Sequence, residues 1–274
     1  MRDEVPEALH ARVVRVRDGA RAEVDDLLAA EEPLEVRVDG ARWLATLRTP
    51  GDDLDLVMGL LWSDGVIARV DAVDLRARGE NIVEVIAAQG HTLSLSGASR
   101  ATTVTSACGL CGRHAIDNVC AGIDLRGDRT SLTAAALTAM PEALRSAQGA
   151  FALTGGVHGA GLFTPEGALV VAREDVGRHN AVDKVIGAMI RRARVTGAHL
   201  VDGRISLRGH ALVVTGRAGF EIVQKAARAE VPVVCAVSAP TSLSVDLARR
   251  AGITLAAFAR GTSVNLYAHP ERVR

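Results

Sequence analysis

The 274-residue sequence is poor in aromatics, with four Phe, two Trp and one Tyr. Its core must therefore be assembled from many small aliphatic contacts. Hydrophobic residues make up 48% of the chain, enough to bury a sizeable core without disulfide or metal staples. Neither charge is in excess, with 32 Lys and Arg against 32 Asp and Glu. A general nucleic-acid-binding surface needs a basic surplus to neutralise phosphates, so that class is excluded. A local anion pocket is not. No run of about 18 apolar residues occurs, and no membrane-spanning helix is expected. The opening stretch MRDEVPEALHARVVRVRDG lacks the apolar segment of a secretory signal. These absences predict a soluble, cytoplasmic protein. The chain has no G-x-G-x-x-G fingerprint and no P-loop, which removes the ordinary dinucleotide-binding and NTPase readings.

Cysteine is also scarce: Cys108, Cys111, Cys120 and Cys235. In a reducing cytosol these are thiols. Cys235 lies in the apolar run Val231–Val237 and reads as a small buried residue. Cys120 reads as incidental. Cys108 and Cys111 form a Cys-Gly-Leu-Cys pair within TTVTSACGLCG, residues 102–112. Small neighbours leave the sulfurs accessible, and Arg113 and His114 favour the thiolate, the nucleophile of thiol and persulfide exchange.

Three roles fit that spacing. Cys108, Cys111, His114 and Cys120 could bind zinc, although structural zinc usually takes two separated pairs of ligands. The pair could be a thioredoxin-like dithiol, although it sits in mid-chain after a Ser/Thr-rich segment and not behind an early strand. It could carry sulfur, one cysteine accepting a persulfide while its neighbour assists transfer or protects it. A zinc deaminase is disfavoured, because Ala107 precedes Cys108 where Pro is expected and no H-x-E partner is present.

The first hundred residues read as a small β-rich portion, and residues 101–274 as an α/β domain carrying the Cys-x-x-Cys loop. Leu34–Val38 and Ala41–Thr46 flank Asp39-Gly40 as a hairpin. Asp52 or Asp53 caps a helix through Leu54, Val57, Met58 and Leu61. Ile82–Ile86 and Thr92–Leu95 read as strands. Ser131–Gln148 is helical by period, with a kink or break expected at Pro141. Ala150–Leu153 and Ala168–Ala172 read as strands. Val182, Val185, Ile186, Met189 and Ile190 make one helical stripe.

Beyond residue 210 the pattern is β-α-β-α-β, with strands at Ala211–Val214, Val231–Val237 and Ile253–Phe258. Their apolar character marks a buried parallel sheet. Each strand runs into a loop of Gly, Ser, Thr, Arg or Pro, and right-handed crossovers bring these loops to one edge, where ligands bind. Helix N-termini there, with Arg217 and Arg260, suit a phosphorylated, nucleotide-like ligand.

Several stretches make the chain resemble the formate dehydrogenase accessory sulfurtransferases, the FdhD family. They are SACGLCG (106–112), TGGVHGA (154–160), REDVGRHNAVDKVIG (173–187), TGRAGFEIVQKAA (215–227), SAPTSLSVDLA (238–248) and FARGTSVNLY (258–267), with TPGDDLDLVMGLLWSDGVI (49–67) nearer the N-terminus. Thr215, Gly219 and Asp39 depart from residues common in that family, and none touches the thiol pair.

The resemblance implies a cytidine-deaminase-like three-layer α/β/α fold and a homodimer. It also implies transfer of persulfide sulfur from a cysteine desulfurase to the molybdenum (or tungsten) bis(molybdopterin guanine dinucleotide) of formate dehydrogenase, with no permanently bound cofactor. It maps the persulfide to Cys108 and cofactor binding to Phe258, Ala259, Arg260, Gly261, Thr262 and Ser263. Cys111 is expected to assist, and Arg217 and Thr241 to help hold the guanine-phosphate portion. A chaperone that binds the cofactor without moving sulfur is the alternative. In Glu174–Lys184, the residues Asp175, Arg178, His179, Asn180 and Asp183 look catalytic in a row, yet roles in capping and tying loops fit them as well.

Overall fold

The computed structural model describes residues 7–95 and 122–274. In chain order the elements are β1 (Ala8–Arg17), β2 (Ala20–Ala29), β3 (Glu32–Val38), β4 (Ala41–Arg48), α1 (Asp53–Ser63), β5 (Val73–Ala77) and β6 (Ile82–Ala87). After these come α2 (Ala134–Ser146), α3 (Gly149–Thr154), β7 (His158–Phe163), β8 (Leu169–Asp175), α4 (Arg178–Thr196) and a small hairpin of β9 (Leu200–Val201) and β10 (Arg204–Ile205). The chain ends with β11 (Ala211–Val214), α5 (Phe220–Arg228), β12 (Val233–Ala236), α6 (Ser242–Ala251), β13 (Thr254–Arg260) and β14 (Ser263–Ala268).

A six-stranded sheet, ordered β14-β13-β12-β11-β7-β8, organises the larger part. β11, β12 and β13 are parallel, as their apolar runs predict, while β7 and β14 run antiparallel to their neighbours. Side chains alternate across it. Val213, Val233, Cys235 and Ala256 pack with Leu137, Met140 and Leu144 of α2. Leu212, Val214, Val234 and Leu255 join a larger core shared with α4, α5 and α6. The result is a three-layer α/β/α arrangement.

A second sheet, ordered β4-β3-β6-β5, carries the N-terminal half. Asp39 and Gly40 both take positive φ between β3 and β4, the geometry a two-residue hairpin demands. Helix α1 lies between this sheet and α4, buried from Asp55 to Ser63. One continuous core runs from Leu34 and Val36 through Leu56 and Leu60 to Val182 and Ile186.

The α1–α4 crossing is unusually close. A Cβ on Gly59 would lie 1.9 Å from the Asp183 carbonyl oxygen, and one on Gly187 1.8 Å from that of Asp55. Only glycine lets the two backbones approach so nearly. Buried charges bracket this contact. Lys225 of α5 meets both oxygens of Asp183 at 2.7 and 2.8 Å, and Ser63 of α1 donates to the same carboxylate. Lys184 pairs with Asp175 at 2.9 Å and donates to the carbonyls of Thr49 and Glu174. Arg173 and Arg191 converge on Asp55.

Three sequence expectations are corrected. Ala150–Leu153 belongs to a helix, because the Glu174 carboxylate accepts the N–H groups of Ala150 and Phe151 at 2.9 and 2.8 Å and so satisfies the first turn. Thr92–Leu95 is not a strand, since the Ser94 N–H goes to the Val66 carbonyl just after α1. Pro141 does not break α2, which runs through it with Leu137, Met140 and Leu144 buried as one stripe.

Candidate functional site

β8, β11, β12 and β13 point the same way, so their C-termini share one edge of the sheet. Helices α4, α5 and α6 start there, right after the first three of these strands. Among the described residues no side chain caps the first turn of α4 or α5, which begin after Gly177 and Gly219. Their leading N–H groups are available to an anion. Helix α6 is closed differently: Thr241 and Ser244 form a reciprocal capping box.

The connections are laced together at this edge. Ala218 and Pro240 form a parallel bridge between the loops after β11 and β12. The Phe258 N–H donates to the Ser238 carbonyl at 3.2 Å. Phe258 holds a positive φ of 54° and is 42% exposed, where the pairing of β13 with β14 slips register. A bulky non-glycine residue in that conformation is strained, and such strain concentrates at functional positions. Arg260 and Ser263 pair across a tight turn at Gly261-Thr262, and Gly261 also has positive φ.

A cavity of about 880 Å³ opens beside that turn. Ala259, Arg260 and Gly261 form one wall, and Thr215, Val237 and Gly155–His158 the floor. Glu142, Arg145 and Phe151 close the far side. The Arg145 guanidinium stacks over the Phe151 ring at 4.0 Å. His158 is half-buried, and burial, then the nearby Arg178 cation, push its pKa below the ordinary histidine value. Its imidazole is therefore neutral near pH 7. Thr215 accepts the Gly159 N–H at 2.9 Å and ties the floor to β7.

Three of the residues expected to bind the cofactor, Ala259, Arg260 and Gly261, line this cavity. Phe258, Thr262, Ser263 and Arg217 are exposed on the same edge, outside the lining. Thr241 is exposed too, with its hydroxyl engaged as the α6 cap. Cys108 and Cys111 lie outside the described residues. Cys235 is fully buried, and burial pushes its thiol up to about 12, so it is inert, as the sequence suggests.

Arg145, Phe151 and His158 were not anticipated at the site. His158 sits within the TGGVHGA stretch, which was the only available signal for it. Nothing in the local pattern of α2 marks Arg145. The Glu174–Lys184 segment divides. Asp175 accepts from the backbone of Thr49 and Gly177 and from Asn180, so it and Asp183 serve structure. Arg178 and His179 stand at the edge: Arg178 packs against Gly216, and His179 Nδ1 meets Glu221 at 3.0 Å.

No helix of the described residues is long and apolar enough to cross a membrane. The FdhD/NarQ family model matches residues 29–274. A protein from Streptomyces avermitilis named sulfur carrier protein FdhD is 43% identical over 275 residues, covering 96% of this chain and 94% of its own length. One of the same name from Anaeromyxobacter dehalogenans is 46% identical over 278 residues, covering 97% and 94%. A crystal structure from Desulfotalea psychrophila, assigned as a formate dehydrogenase accessory protein, superposes with a TM-score of 0.77 over 98% of this chain and all of its own, at 24% identity, and bears on the fold. The chain belongs to the FdhD/NarQ family.

Proposed function

We propose that the chain is a sulfurtransferase: it takes persulfide sulfur from a cysteine desulfurase onto Cys108 and delivers it to the bis(molybdopterin guanine dinucleotide) of formate dehydrogenase. The relatives named as sulfur carriers, aligned over nearly the whole chain, support the sulfur-carrying part. The single observation that carries the acceptor side is the cavity walled by Ala259, Arg260 and Gly261.

The Cys108 thiolate attacks the donor's terminal sulfur, giving a persulfide here and a thiolate on the donor. Cys111 assists release. Its thiolate can attack Cys108 Sγ, forming a Cys108–Cys111 disulfide and expelling the outer sulfur as hydrosulfide, with electrons balanced. A cellular thiol reductant then restores the pair. The cofactor is cargo, not a resident group. Arg260 and Arg217 offer guanidinium forks to its phosphates, and the open first turns of α4 and α5 add N–H donors. Exposed Phe258 offers a ring to its planar base. The neutral imidazole of His158 contributes a hydrogen-bonding group without a fixed charge. Holding cargo and thiol on one chain makes transfer effectively unimolecular. The protein works in the cytoplasm as a homodimer in this reading.

The test is peptide mass spectrometry after incubation with a cysteine desulfurase and cysteine. The Cys108 peptide should gain one sulfur, and Cys108→Ala should gain none at this site. If Cys108→Ala still acquires sulfur at full level, Cys108 is not the carrier. A Cys108→Ala, Cys111→Ala double variant that fully restores formate dehydrogenase activity would establish the chaperone instead.

A further inference from the structure

Arg178 opens α4, and the fold treats it unlike the arginines around it. Arg173, Arg191 and Arg194 each hold a carboxylate at 2.6–2.9 Å. Among the described residues Arg178 makes neither an ion pair nor a hydrogen bond, and its Nε is buried without an acceptor. The carboxylates of this neighbourhood are already taken. Asp175, fully buried, gives one oxygen to Lys184 and the Thr49 N–H and the other to the Gly177 N–H and Asn180. Glu221, in the first turn of α5, meets His179.

The position of Arg178 adds to its cost. It is the first residue of α4, where no acidic side chain stands in the turn and none caps it. A cation there is opposed by the helix macrodipole and by the free N–H groups beside it. A buried donor without an acceptor is destabilising in its own right. An anion from outside the chain would answer all of these at once.

The place adjoins the cavity. Gly216 follows Thr215 of the cavity floor, and a Cβ built on it would lie 3.3 Å from Arg178 Cδ and 3.5 Å from His158 Nδ1. Arg178 and His158 therefore flank the same bare backbone, and glycine keeps the gap between them clear. His158 itself lines the cavity. The Arg178 charge is felt there, since after burial it is the next cause that pushes the His158 pKa below its ordinary value.

We infer that Arg178 is a phosphate-binding residue for the cargo, acting from the floor of the cavity while the Arg260 turn acts from its wall. The inference rests on the reading that the cargo is a phosphorylated guanine-nucleotide cofactor. A guanidinium presents parallel N–H groups to a phosphate, and the first turn of α4 sets backbone N–H groups beside it. An unpaired charge that weakens the free protein and is relieved by the ligand belongs to function, not to the scaffold.

The consequence is a pair of opposed expectations: Arg178→Gln should lose affinity for phosphate and yet be no less stable than its parent. Calorimetry with guanosine diphosphate and with guanosine, together with thermal melting of the full chain, tests both. The wild type should bind the diphosphate more tightly than the nucleoside. In Arg178→Gln that ratio should fall at least about tenfold, with guanosine binding unchanged and Tm equal to or above that of the parent. Arg178→Lys, which keeps the charge and loses the fork, should fall between. An unchanged ratio in Arg178→Gln overturns the assignment and leaves the proposed function standing. Equal losses for both compounds with a lowered Tm place Arg178 in the scaffold and overturn it as well. A wild type that binds neither compound overturns the acceptor reading and this inference together, without bearing on sulfur transfer to Cys108.

Discussion

Substituting Gly187 by Ala tests the reasoning about the α1–α4 crossing directly. The added Cβ would fall 1.8 Å from the Asp55 carbonyl oxygen, 2.7 Å from its carbon and 2.8 Å from the Gly59 nitrogen. An ordinary contact begins near 3.4 Å, so the helices must part by about 1.6 Å. Both obstacles are backbone, and neither can rotate away. Parting the helices loosens the packing of Leu56, Leu60, Val182 and Ile186, all essentially fully buried, and gaps of 0.5–1 Å already forfeit roughly a quarter to a half of a contact's attraction. Overpacking costs about 1–3 kcal/mol and occasionally more. Ala gains back about 1 kcal/mol over Gly in helix propensity. Because the clash is with backbone on both sides, the cost exceeds that range, at about 3–5 kcal/mol, and a net loss of about 2–4 kcal/mol is expected, out of a total stability on the order of 5–15 kcal/mol. For a chain of this size that lowers Tm by roughly 5–15 °C. Urea and thermal denaturation measure it. Gly149→Ala is the control, since nothing lies within 4 Å of a Cβ there, and it should change stability by less than about 0.5 kcal/mol. A Gly187→Ala protein as stable as its parent would refute the crossing geometry.

Lys225→Met leaves Asp183 charged and buried, and should cost about 3–5 kcal/mol. Adding Asp183→Asn should recover part of that loss, and strictly additive losses would contradict the pairing. Arg260→Ala and Phe258→Ala should each weaken binding of guanosine diphosphate about tenfold while leaving Tm within about 1 °C, because both side chains are exposed; unchanged calorimetric affinity in both would remove the turn from the binding site. Burial, then Arg178, holds the His158 pKa below its ordinary 6.5. The unfolded chain therefore takes up the proton first as pH falls. Stability is lost on descending through about pH 6.5, and the loss stops growing below the native pKa. His158→Asn should flatten the fall in Tm between pH 7 and 5, and an identical slope would count against this assignment. Cys235 should resist iodoacetamide in the native protein and react once the chain is unfolded.

Much of the scaffold is legible in the sequence because its signals are local and repeated. The runs 211–214 and 231–237, with turn-forming loops after them, give the parallel strands and the shared edge. The Val182–Ile190 stripe gives α4. The signals that fail are those decided at a distance. Ala150–Leu153 has strand-like composition, but its conformation is decided by the Glu174 carboxylate, 23 and 24 residues away from the N–H groups it accepts. The β1–β2 ribbon leaves little mark in the sequence because its apolar residues are thinly spread among charges. Gly59 and Gly187 look like ordinary weak points within helices until the crossing is seen.

The same distinction explains why the candidate site was only half visible. Strand order brings the Arg260 loop to the sheet edge, and the family resemblance maps Ala259, Arg260 and Gly261 to cofactor binding; all three line the cavity. The rest of the lining includes Arg145 of α2 and Phe151 of α3, helices that the topology brings to the cavity from elsewhere in the chain, so neither residue carries a local mark of its place. Conversely, the row of charges in Arg173–Lys184 looks like chemistry because charged groups are conspicuous in a line of letters. In three dimensions most of them are spent on one another or on backbone: Asp175 on Lys184, Asp183 on Lys225, Arg173 on Asp55. A buried carboxylate already matched by a lysine at 2.7–2.9 Å is costly to expose to a new ligand. The groups left able to meet an anionic cargo are those at the edge, above all the Arg260 guanidinium and the open helix turns after Gly177 and Gly219. Rigid charge pairs below and donors above leave one edge of the sheet suited to a large anion without reorganising the core.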